Sequence, residues 1–545
     1  MKEEVGMKRR GPRTLAVGVA VAGLVTALAA PALAAPSVFP GAVNEGIADI
    51  YTNDYGVQGA VGTTGEGLIP PDRLAGPDVN PGGIGQLLFG GFYDVRAIAG
   101  PSGTVEAQQT NIQLLNVAPA TATNEGILAR IRFRESKTSQ EVLDFNIVLS
   151  CAQVWVASVT RIDDPTDPSI DGFPQIKSPD PVVTNDPGVD AAAPITYAPV
   201  LATAGQPFVK PAAGLTVGDI QRGYFEVFAE ERLPCSPTTG DERTGTYNRI
   251  TTNPTAVPPL FRSPPNTLAG SVFIVRPLAG VSYEYNTTAI TRFVDSQDPT
   301  GIAAPITTGQ PDVTASCRLA QVPGASPQQC LDAVDFVLSK SRLAAQWDEL
   351  KLIAGQTYVV VTQPTKHHHC ALNATGDNFS GSPASGFIAS PFSCAPTGEE
   401  IGCTIYDRLE NFSSQRNIFS PATILKCVLP REVTIIGFVE TSAVVDPRAD
   451  FSITYGELPD GPDGTEDEHG WLNIDLYNGQ HARGNGIPAA NVPLNPDVAQ
   501  LLGTGYGQYQ GLPVISYVIQ EYFNGNVGGV FGAAVPPYHT VGYGT

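Results

Sequence analysis

The sequence has few charged residues, and fewer basic ones than acidic ones. Charged residues make up 16% of the 545 positions, and 32 Lys and Arg face 53 Asp and Glu, so the net charge is −21. Proteins that bind nucleic acids need a basic surface to meet the phosphate backbone, so this composition excludes nucleic acid as a partner. Only three tryptophans are present. This scarcity leaves few platforms on which a sugar ring could stack.

The short motifs of common enzymes are also missing. The sequence contains no G-x-S-x-G, H-E-x-x-H or P-loop lysine motif, and it has no C-x-x-C pair. Because such motifs place nucleophiles, metal ligands or phosphate-binding groups, their absence disfavours a hydrolase and predicts that the protein is not an enzyme. No uninterrupted run of 18 apolar residues follows Ser37, so we expect no membrane span in the mature chain.

The first 34 residues have the pattern of a secretory signal peptide. A basic run over 8–13 precedes an apolar stretch over 15–30, and the small residues Ala32 and Ala34 follow. This order predicts cleavage after Ala34, with a retained membrane anchor as the alternative for an apolar stretch of this length. Removal of the leader takes away five basic and two acidic residues, which changes the net charge to −24. We therefore expect a secreted, strongly acidic protein.

All eight cysteines lie after the predicted leader, and an even number of cysteines in a secreted chain predicts disulfide bonds. Many pairings are open, but the entropy of loop closure favours cysteines that are close in sequence. On that basis we expect three local bonds and one long-range bond: Cys317 with Cys330, Cys370 with Cys394, Cys403 with Cys427, and Cys151 with Cys235.

Short runs of β-branched and aromatic residues, separated by turn-forming residues, recur along the chain. With 57 glycines and 48 prolines, this pattern predicts a mainly β fold of antiparallel β-sandwich layers. Over 127–134, apolar side chains alternate with Arg130, Arg132 and Arg134, so we expect one buried face and one basic face in solvent. The predicted strands are 86–95, 126–134, 143–159, 222–228, 271–275, 281–290, 356–363, 403–409, 433–439, 451–455, 472–476, 514–522 and 528–531.

Two β-rich parts are predicted, an N-terminal sandwich over 35–310 and a C-terminal part over 311–545. The first part contains a Pro/Asp-rich insert over 163–211, which we interpret as an extended surface loop. The second part contains the local disulfides and one short helical segment.

The helical segment is predicted within 326–350. Ser326 and Gln329 have the spacing of a capping box, and Pro327 stands at the first helical position. Apolar residues then recur at helical spacing. Leu343 and Trp347 are interpreted as a second, turn-linked segment.

Six longer segments carry a family resemblance. They are ILARIRFRESKTSQEVLDFNIVLS at 127–150, NTLAGSVFIVRPLAGVSYEYNTTAI at 266–290, VVVTQPTKHHH at 359–369, CTIYDRLE at 403–410, HGWLNIDL at 469–476 and GLPVISYVIQEYFNGNVGGVFG at 511–532. Together they resemble a broad, functionally uncharacterised group of secreted proteins from Gram-negative bacteria. The resemblance covers most of the mature chain. It implies a β-rich fold and an extracellular or outer cell-surface location, and it implies no chemistry.

The histidine triplet at 367–369 is the first candidate metal site. On an extended strand, His367 and His369 would share one face, and with a carboxylate such as Asp377 they could bind Cu²⁺ or Zn²⁺. The alternative is a polar strand end that leads into a disulfide at Cys370.

An acidic stretch is the second candidate, because its Gly and Pro residues let a loop bend while carboxylates supply the oxygen ligands that Ca²⁺ needs. Its acidic residues are Glu457, Asp460, Asp463, Glu466, Asp467 and Glu468. A solvated acidic loop without metal is the alternative. Calcium is therefore the cofactor that the sequence suggests, without requiring it.

The function that these patterns favour is structural. We expect an exported protein that forms or decorates a surface layer, sheath or filament, through self-association or contact with other surface proteins. The Gly/Tyr-rich flanks, 35–68 and 496–545, could add to the sheet edge of a neighbour. The alternative is an extracellular module that binds a divalent cation, calcium or copper, or a glycan.

Overall fold

The computed structural model shows a mainly β protein, as predicted, with antiparallel sheets and, among the residues that it describes, three short helices. It describes residues 77–99, 105–122, 125–164, 166–183, 197–202, 205–233, 235, 264–277, 280–293, 312–314, 325–349, 355–407, 412–415, 427–439, 448–454, 469–476, 492–493, 508–509, 511–524 and 529–541. All of them belong to one compact unit, Leu68–Thr545. The predicted signal peptide, its cleavage site at Ala34 and the flank 35–68 lie outside the described residues.

Within the described residues, seventeen strands precede residue 292. They are β1 (Asp78–Asn80), β2 (Ile84–Gly85), β3 (Leu87–Asp94), β4 (Ala97–Ala99), β5 (Val105–Ala107), β6 (Gln109–Asn116), β7 (Gly126–Glu135), β8 (Glu141–Leu149), β9 (Gln153–Arg161), β10 (Pro174–Lys177), β11 (Val182–Val183), β12 (Tyr197–Ala198), β13 (Gln206–Pro207), β14 (Arg222–Leu233), β15 (Leu268–Arg276), β16 (Val281–Asn286) and β17 (Thr288–Thr291). Helix α1 (Val217–Ile220) leads into β14.

The second half of the described chain begins with helix α2 (Pro327–Leu338), and α3 (Lys366–His369) follows later. Its strands are β18 (Ser339–Asp348), β19 (Gln356–Thr362), β20 (Cys370–Leu372), β21 (Phe379–Pro383), β22 (Glu399–Asp407), β23 (Phe412–Gln415), β24 (Cys427–Leu429), β25 (Val433–Val439), β26 (Phe451–Thr454), β27 (His469–Asp475), β28 (Val492–Pro493), β29 (Gln508–Tyr509), β30 (Leu512–Pro513), β31 (Ile515–Asn524), β32 (Gly529–Val535) and β33 (Tyr538–Val541).

Strands of the first half form one sandwich. The first sheet has the order β1-β17-β3-β14-β7-β8-β11-β12, and the second has the order β13-β10-β9-β6-β15-β16, with β2 also paired to β15. The inward side chains of both sheets share one hydrophobic core, in which the ring centroids of Phe145 and Trp155 lie 5.8 Å apart. Two facing sheets with a common apolar interior are the arrangement that the sequence predicted.

Strands of the second half form two further large sheets. The third sheet has the order β23-β22-β27-β18-β30, with β24 on β22 and β33 on β18, and the fourth has the order β26-β25-β19-β31-β32. A second core lies between them, where Trp347 stacks on Phe438 at 5.9 Å. The opposite face of the fourth sheet, including Val360 and Tyr517, belongs to the first core. The fourth sheet is therefore buried on both faces, which accounts for near-continuous apolar runs such as VTIIGFV over 433–439.

No described strand pair crosses the predicted boundary near residue 310, but the core and a set of buried ion pairs do. Glu521 on β31 accepts hydrogen bonds from Arg276 at 3.0 Å and from Arg448 at 2.6 Å. Asp450 pairs with Arg222 and also with Arg431, whose Nε lies 3.1 Å from its carboxylate. Together with hydrogen bonds such as that from the Val433 amide to the Ser136 carbonyl at 2.9 Å, these charges form polar links between the two halves.

The arginine face of β7 is buried, so the prediction of a solvent-exposed face is wrong. Arg130, Arg132 and Arg134 are between 2% and 6% exposed. Each has an acidic partner on a neighbouring strand: Asp144 for Arg130, Glu141 for Arg132 at 2.7 Å, and Glu226 for Arg134 at 2.8 Å. A buried charge is tolerated when it is paired and hydrogen-bonded. The alternation within β7 correctly separates the apolar face from the arginine face. The sequence of β7 alone does not contain the acidic partners, which lie on β8 and β14.

The run predicted as one strand over 143–159 is two strands in different sheets. β8 pairs with β7 in the first sheet, and β9 pairs with β6 in the second. The chain turns at 150–152, where Ala152 has a positive φ of 53° and Cys151 is bonded to Cys235. The turn contains no Gly or Pro, which is why the sequence did not reveal it.

The capping box of α2 is confirmed. The hydroxyl of Ser326 accepts from the Gln329 amide at 3.3 Å, and the Gln329 side chain accepts from the Ser326 amide at 2.8 Å. The helix ends at Leu338, however, and the second predicted segment is strand β18. Leu343, Ala345 and Trp347 are all buried. Every second residue therefore faces the core, which is the period of a strand.

The Pro/Asp-rich insert is not a single surface loop in its described parts. It contains strands β10 to β13, of which β10 extends the second sheet and β11 extends the first. Ile176, Val182 and Phe208 are buried. A few apolar residues anchor the insert to the sandwich, although its overall composition is typical of a loop.

Three predicted disulfides are confirmed: Cys151–Cys235, Cys370–Cys394 and Cys403–Cys427. Cys330 is also disulfide-bonded. Its predicted partner, Cys317, lies outside the described residues. Two of the described bonds close short loops of 24 residues, and Cys151–Cys235 is the predicted long-range bond, with a separation of 84 residues.

A membrane-spanning helix would have to be long and apolar. None of the helices in the described ranges meets that condition.

Candidate functional site

The histidine triplet lies in a helical turn and not on a strand. β19 ends at Thr362, and the chain then turns into α3, where the His368 amide donates to the Thr365 carbonyl at 3.1 Å. Successive side chains in a helix diverge by about 100°, so His367 and His369 do not share a face as they would on a strand. The prediction of an extended segment here is wrong, because a polar run after Pro364 carries no periodic signal that separates a turn of helix from a strand end.

His369 has a partner for each ring nitrogen. Its Nε2 lies 2.7 Å from the carboxylate of Asp335 on α2, and its Nδ1 donates to the Ile388 carbonyl at 2.7 Å. Burial disfavours the charged ring, but the Asp335 carboxylate outweighs it and raises the pKa of His369. The ring is therefore held between Asp335 on α2 and the carbonyl of Ile388.

His367 and His368 have the opposite character. Their rings lie 3.8 Å apart, and the Nε2 atom of each has no hydrogen-bond partner among the described residues. Burial lowers the pKa of His368 to about 4, although the carboxylate of Asp312 opposes the shift. Burial, followed by the charge of Arg134, lowers the pKa of His367 well below its usual value. Both rings are held neutral in the interior.

The predicted metal ligands are not assembled within the described part of the chain. His367 and His369 have separate surroundings, and no group of three or more His, Cys, Asp or Glu side chains there is arranged to hold a metal ion. Asp377 bonds instead to Asn373 and Thr375 in its own turn. The acidic stretch with Asp460, Asp463, Glu466, Asp467 and Glu468 lies outside the described residues.

Lys366, the residue before the triplet, forms a buried ion pair that the sequence did not indicate. Its Nζ lies 3.2 Å from Glu399 Oε2, and the two side chains are 2% and 3% exposed. The rings of Phe379 and Phe392 flank the ammonium, with centroids 5.4 and 5.9 Å from Nζ. Ser393 donates to the same carboxylate, from its amide at 2.7 Å to Oε1 and from its hydroxyl at 3.1 Å to Oε2.

Glu432 is a second buried carboxyl near the triplet, with its Oε2 4.0 Å from His367 Nδ1. Its side chain is fully buried, and neither of its oxygens has a hydrogen-bond partner among the described residues. Burial raises the pKa of Glu432 well above its usual range, although the charge of Lys366 opposes the shift. Two acidic side chains, Glu399 and Glu432, are thus buried near the triplet.

The outer face of the second sheet is the most distinctive exposed feature. On β9, β6 and β15, every second residue points into the core, and the residues between them are half-buried or exposed. These outward residues are Val154, Val156, Ser158, Thr160, Gln109, Asn111, Gln113, Leu115, Ala269, Ser271, Phe273 and Val275. None of the twelve is charged, in a chain whose net charge is −21.

Sequence reasoning identified the triplet and missed its partners. Asp335, Glu399 and Glu432 are single acidic residues far from 366–369 in sequence, and no short motif connects them. A lysine followed by three histidines in an acidic chain was the one available signal. This signal indicates the position of the site at 366–369, but it does not indicate that the side chains there are largely buried.

Comparisons with protein-family models, with curated proteins and with solved structures gave no match to this chain. The functional interpretation therefore depends on the geometry of the chain itself.

Proposed function

We propose that this chain is an exported structural protein of the bacterial cell surface or extracellular matrix, which forms or decorates an assembly such as a surface layer, sheath or filament. Its disulfides are typical of proteins that work outside the reducing cytoplasm. Its buried ion pairs, and the hydrophobic core that its two halves share, are consistent with a rigid subunit of such an assembly.

The observation that carries the proposal is the uncharged outer face of the second sheet. Two copies of a protein with a net charge of −21 repel each other, so a contact between copies needs a surface that lacks that charge. The central strands β9, β6 and β15 supply such a surface. Glu284 on β16 and Lys177 on β10 lie at its two sides and mark where charge resumes.

Analytical ultracentrifugation of the exported chain over a range of concentrations, with and without Ca²⁺, tests the proposal. We expect concentration-dependent association. Val154→Glu places a charge on the outer face at a residue that is 40% exposed, so it should abolish association without disturbing the fold.

Val209→Glu is the matched control, because Val209 is 59% exposed and is not on the central strands of that face. It should associate like the unsubstituted chain. If the unsubstituted chain remains monomeric at every concentration, with and without Ca²⁺, the proposal is wrong. If both variants associate equally, the outer face is not the contact surface.

A further inference from the structure

The outer face of the third sheet carries the one exposed tryptophan of the chain. Trp155 and Trp347 are 1% and 0% exposed, whereas Trp471 on β27 is 39% exposed. An indole ring in contact with water keeps apolar surface that a bound partner can bury. Trp471 therefore indicates a candidate binding surface on a different sheet from the uncharged face described above.

Tyr406 on β22 holds the indole in one orientation. The two residues are register partners, and their rings stack with centroids 4.0 Å apart and an angle of 4° between the ring planes. Because Tyr406 covers one face of the indole, the accessible part of Trp471 belongs to its edge and its opposite face. On that opposite side the register partner is Gln346 on β18, which is exposed.

Uncharged side chains surround the two rings. Every second residue of β22, β27 and β18 belongs to the second core, so the residues between them point outward. Two successive outward rows cross these three strands, and we call their six residues the Trp471 patch: Tyr406, Trp471, Gln346, Thr404, Asn473 and Ala344. None of the six is charged. In the next outward row, Asp475 is the register partner of Arg342, so charge resumes there.

We propose that the Trp471 patch binds a neutral polysaccharide. A sugar ring has an apolar face of C–H groups and a rim of hydroxyl groups. Its apolar face stacks on the accessible part of the Trp471 indole. Its hydroxyl groups bond to the amides of Gln346 and Asn473 and to the hydroxyl of Thr404, which together can donate and accept.

The size of the patch favours a sugar over a protein as the partner. A stable protein interface buries about 800 Å² of each partner around several apolar anchors. One aromatic side chain supplies at most about 250 Å², and the indole is only 39% exposed. This area matches a sugar ring.

The charge of the chain selects the class of polysaccharide. A net charge of −21 repels an anionic polysaccharide, and the patch contains no basic side chain that would offset the repulsion. A neutral polysaccharide meets no such repulsion. The site does not depend on the proposed self-association, which uses the second sheet.

Acrylamide quenching of tryptophan fluorescence tests the site in the unsubstituted full chain. Since Trp155 and Trp347 are buried, the readily quenched emission comes from Trp471. The probes are soluble mixed-linkage β-glucan, galactomannan, dextran and glycogen, with alginate as the anionic control. We expect at least one neutral probe to protect Trp471, so that the readily quenched emission is lost, and alginate to leave it unchanged. Protection by none of the neutral probes, or by alginate alone, would overturn the proposal.

Native electrophoresis in gels that contain the protective polysaccharide measures the contribution of the indole. Trp471→Ala should weaken binding about tenfold or more, because the apolar surface that the sugar buries is removed. Trp471→Phe keeps an aromatic face and should retain part of the affinity. Leu372→Ala is the matched control, since Leu372 is 38% exposed and lies outside the patch, and it should bind like the unsubstituted chain. Equal binding by folded Trp471→Ala protein and the unsubstituted chain would contradict the proposal.

Analytical ultracentrifugation of Trp471→Ala distinguishes a sugar from a second copy of the chain as the occupant. This variant should self-associate like the unsubstituted chain, and Val154→Glu should bind the polysaccharide like the unsubstituted chain. Loss of self-association by Trp471→Ala with full polysaccharide binding would show that the patch is a contact between copies, and the proposal would be wrong.

Discussion

Buried ionisable side chains take their charge from their immediate partners. Asp335 contacts His369 and raises its pKa, while burial lowers the pKa of the adjacent His367 and His368. The pKa values of three consecutive residues of one type are therefore shifted in different directions. The metal-site interpretation paired His367 with His369 on one face of a strand, and the sequence pattern did not show that burial and Asp335 give these two side chains different surroundings.

Glu231 on β14 gives a residue-scale prediction about pH. It is 4% exposed, and burial raises its pKa from 4.5 to about 8. The folded state therefore keeps a proton that the unfolded state loses, so stability decreases as the pH rises from 4.5 towards 8. Glu231→Gln cannot ionise, so its advantage over the unsubstituted chain should grow across that window, to at most about 5 kcal/mol.

Urea unfolding at several pH values between 4 and 9 measures this difference. Asp163→Asn is the control, because the Asp163 side chain is 67% exposed. The effect of Asp163→Asn on the free energy of unfolding should not show the gain with rising pH that we expect for Glu231→Gln. A difference between Glu231→Gln and the unsubstituted chain that is constant with pH would contradict the prediction.

Alternation in the sequence predicts where many of the longer strands lie. It does not predict which of their faces are buried. The prediction for β25 matches the observed Val433–Val439, and the capping box places the start of α2. For β7, alternation identified the apolar face correctly and assigned the arginine face to solvent. The error arose because acidic partners on β8 and β14 are set by sheet order, which alternation within one strand does not contain.

The buried face of β7 gives a prediction at the scale of the element. Arg130→Leu leaves Asp144, which is 2% exposed, without the arginine that hydrogen-bonds it, so the loss of unfolding free energy should be about 3–5 kcal/mol. The surface pair Arg161–Asp163 on β9 is the control, since Arg161→Leu should cost about 0–1 kcal/mol. Denaturant unfolding measures both.

A double substitution of Arg130 and Asp144 by leucine should recover much of the loss, because no unpaired buried charge remains. Equal effects of the two single arginine substitutions would show that the face is accessible to water.

The described part of the chain is stabilised by a hydrophobic core that spans both halves. It is also stabilised by disulfides that close loops of different lengths. The fourth sheet contributes one face to each hydrophobic core, so neither half buries its apolar surface alone. Cys151–Cys235 spans 84 residues, whereas Cys370–Cys394 spans 24.

Loop length sets the expected order of disulfide effects. A longer closed loop removes more entropy from the unfolded chain, so replacing Cys151 and Cys235 by alanine should cost about 4–5 kcal/mol. Replacing Cys370 and Cys394 should cost about 3–4 kcal/mol. Denaturant unfolding of the two double variants checks the order. A larger loss of unfolding free energy for the Cys370 and Cys394 variant would contradict this order. It would show that strain or residual structure, and not loop length, determines the loss.

The sequence by itself determined the mainly β class, the positions of most of the longer strands, the cap of α2 and three disulfide pairings. These follow from alternation, turn residues, capping spacing and the preference of cysteines for near neighbours, which left Cys151 and Cys235 for each other. The tertiary structure alone decided that the arginines of β7 are buried, that 143–159 is divided between two sheets, and that Lys366 meets Glu399. Each of these depends on residues brought together from distant positions, and the free energy of burying a charge depends on the partner that the fold supplies.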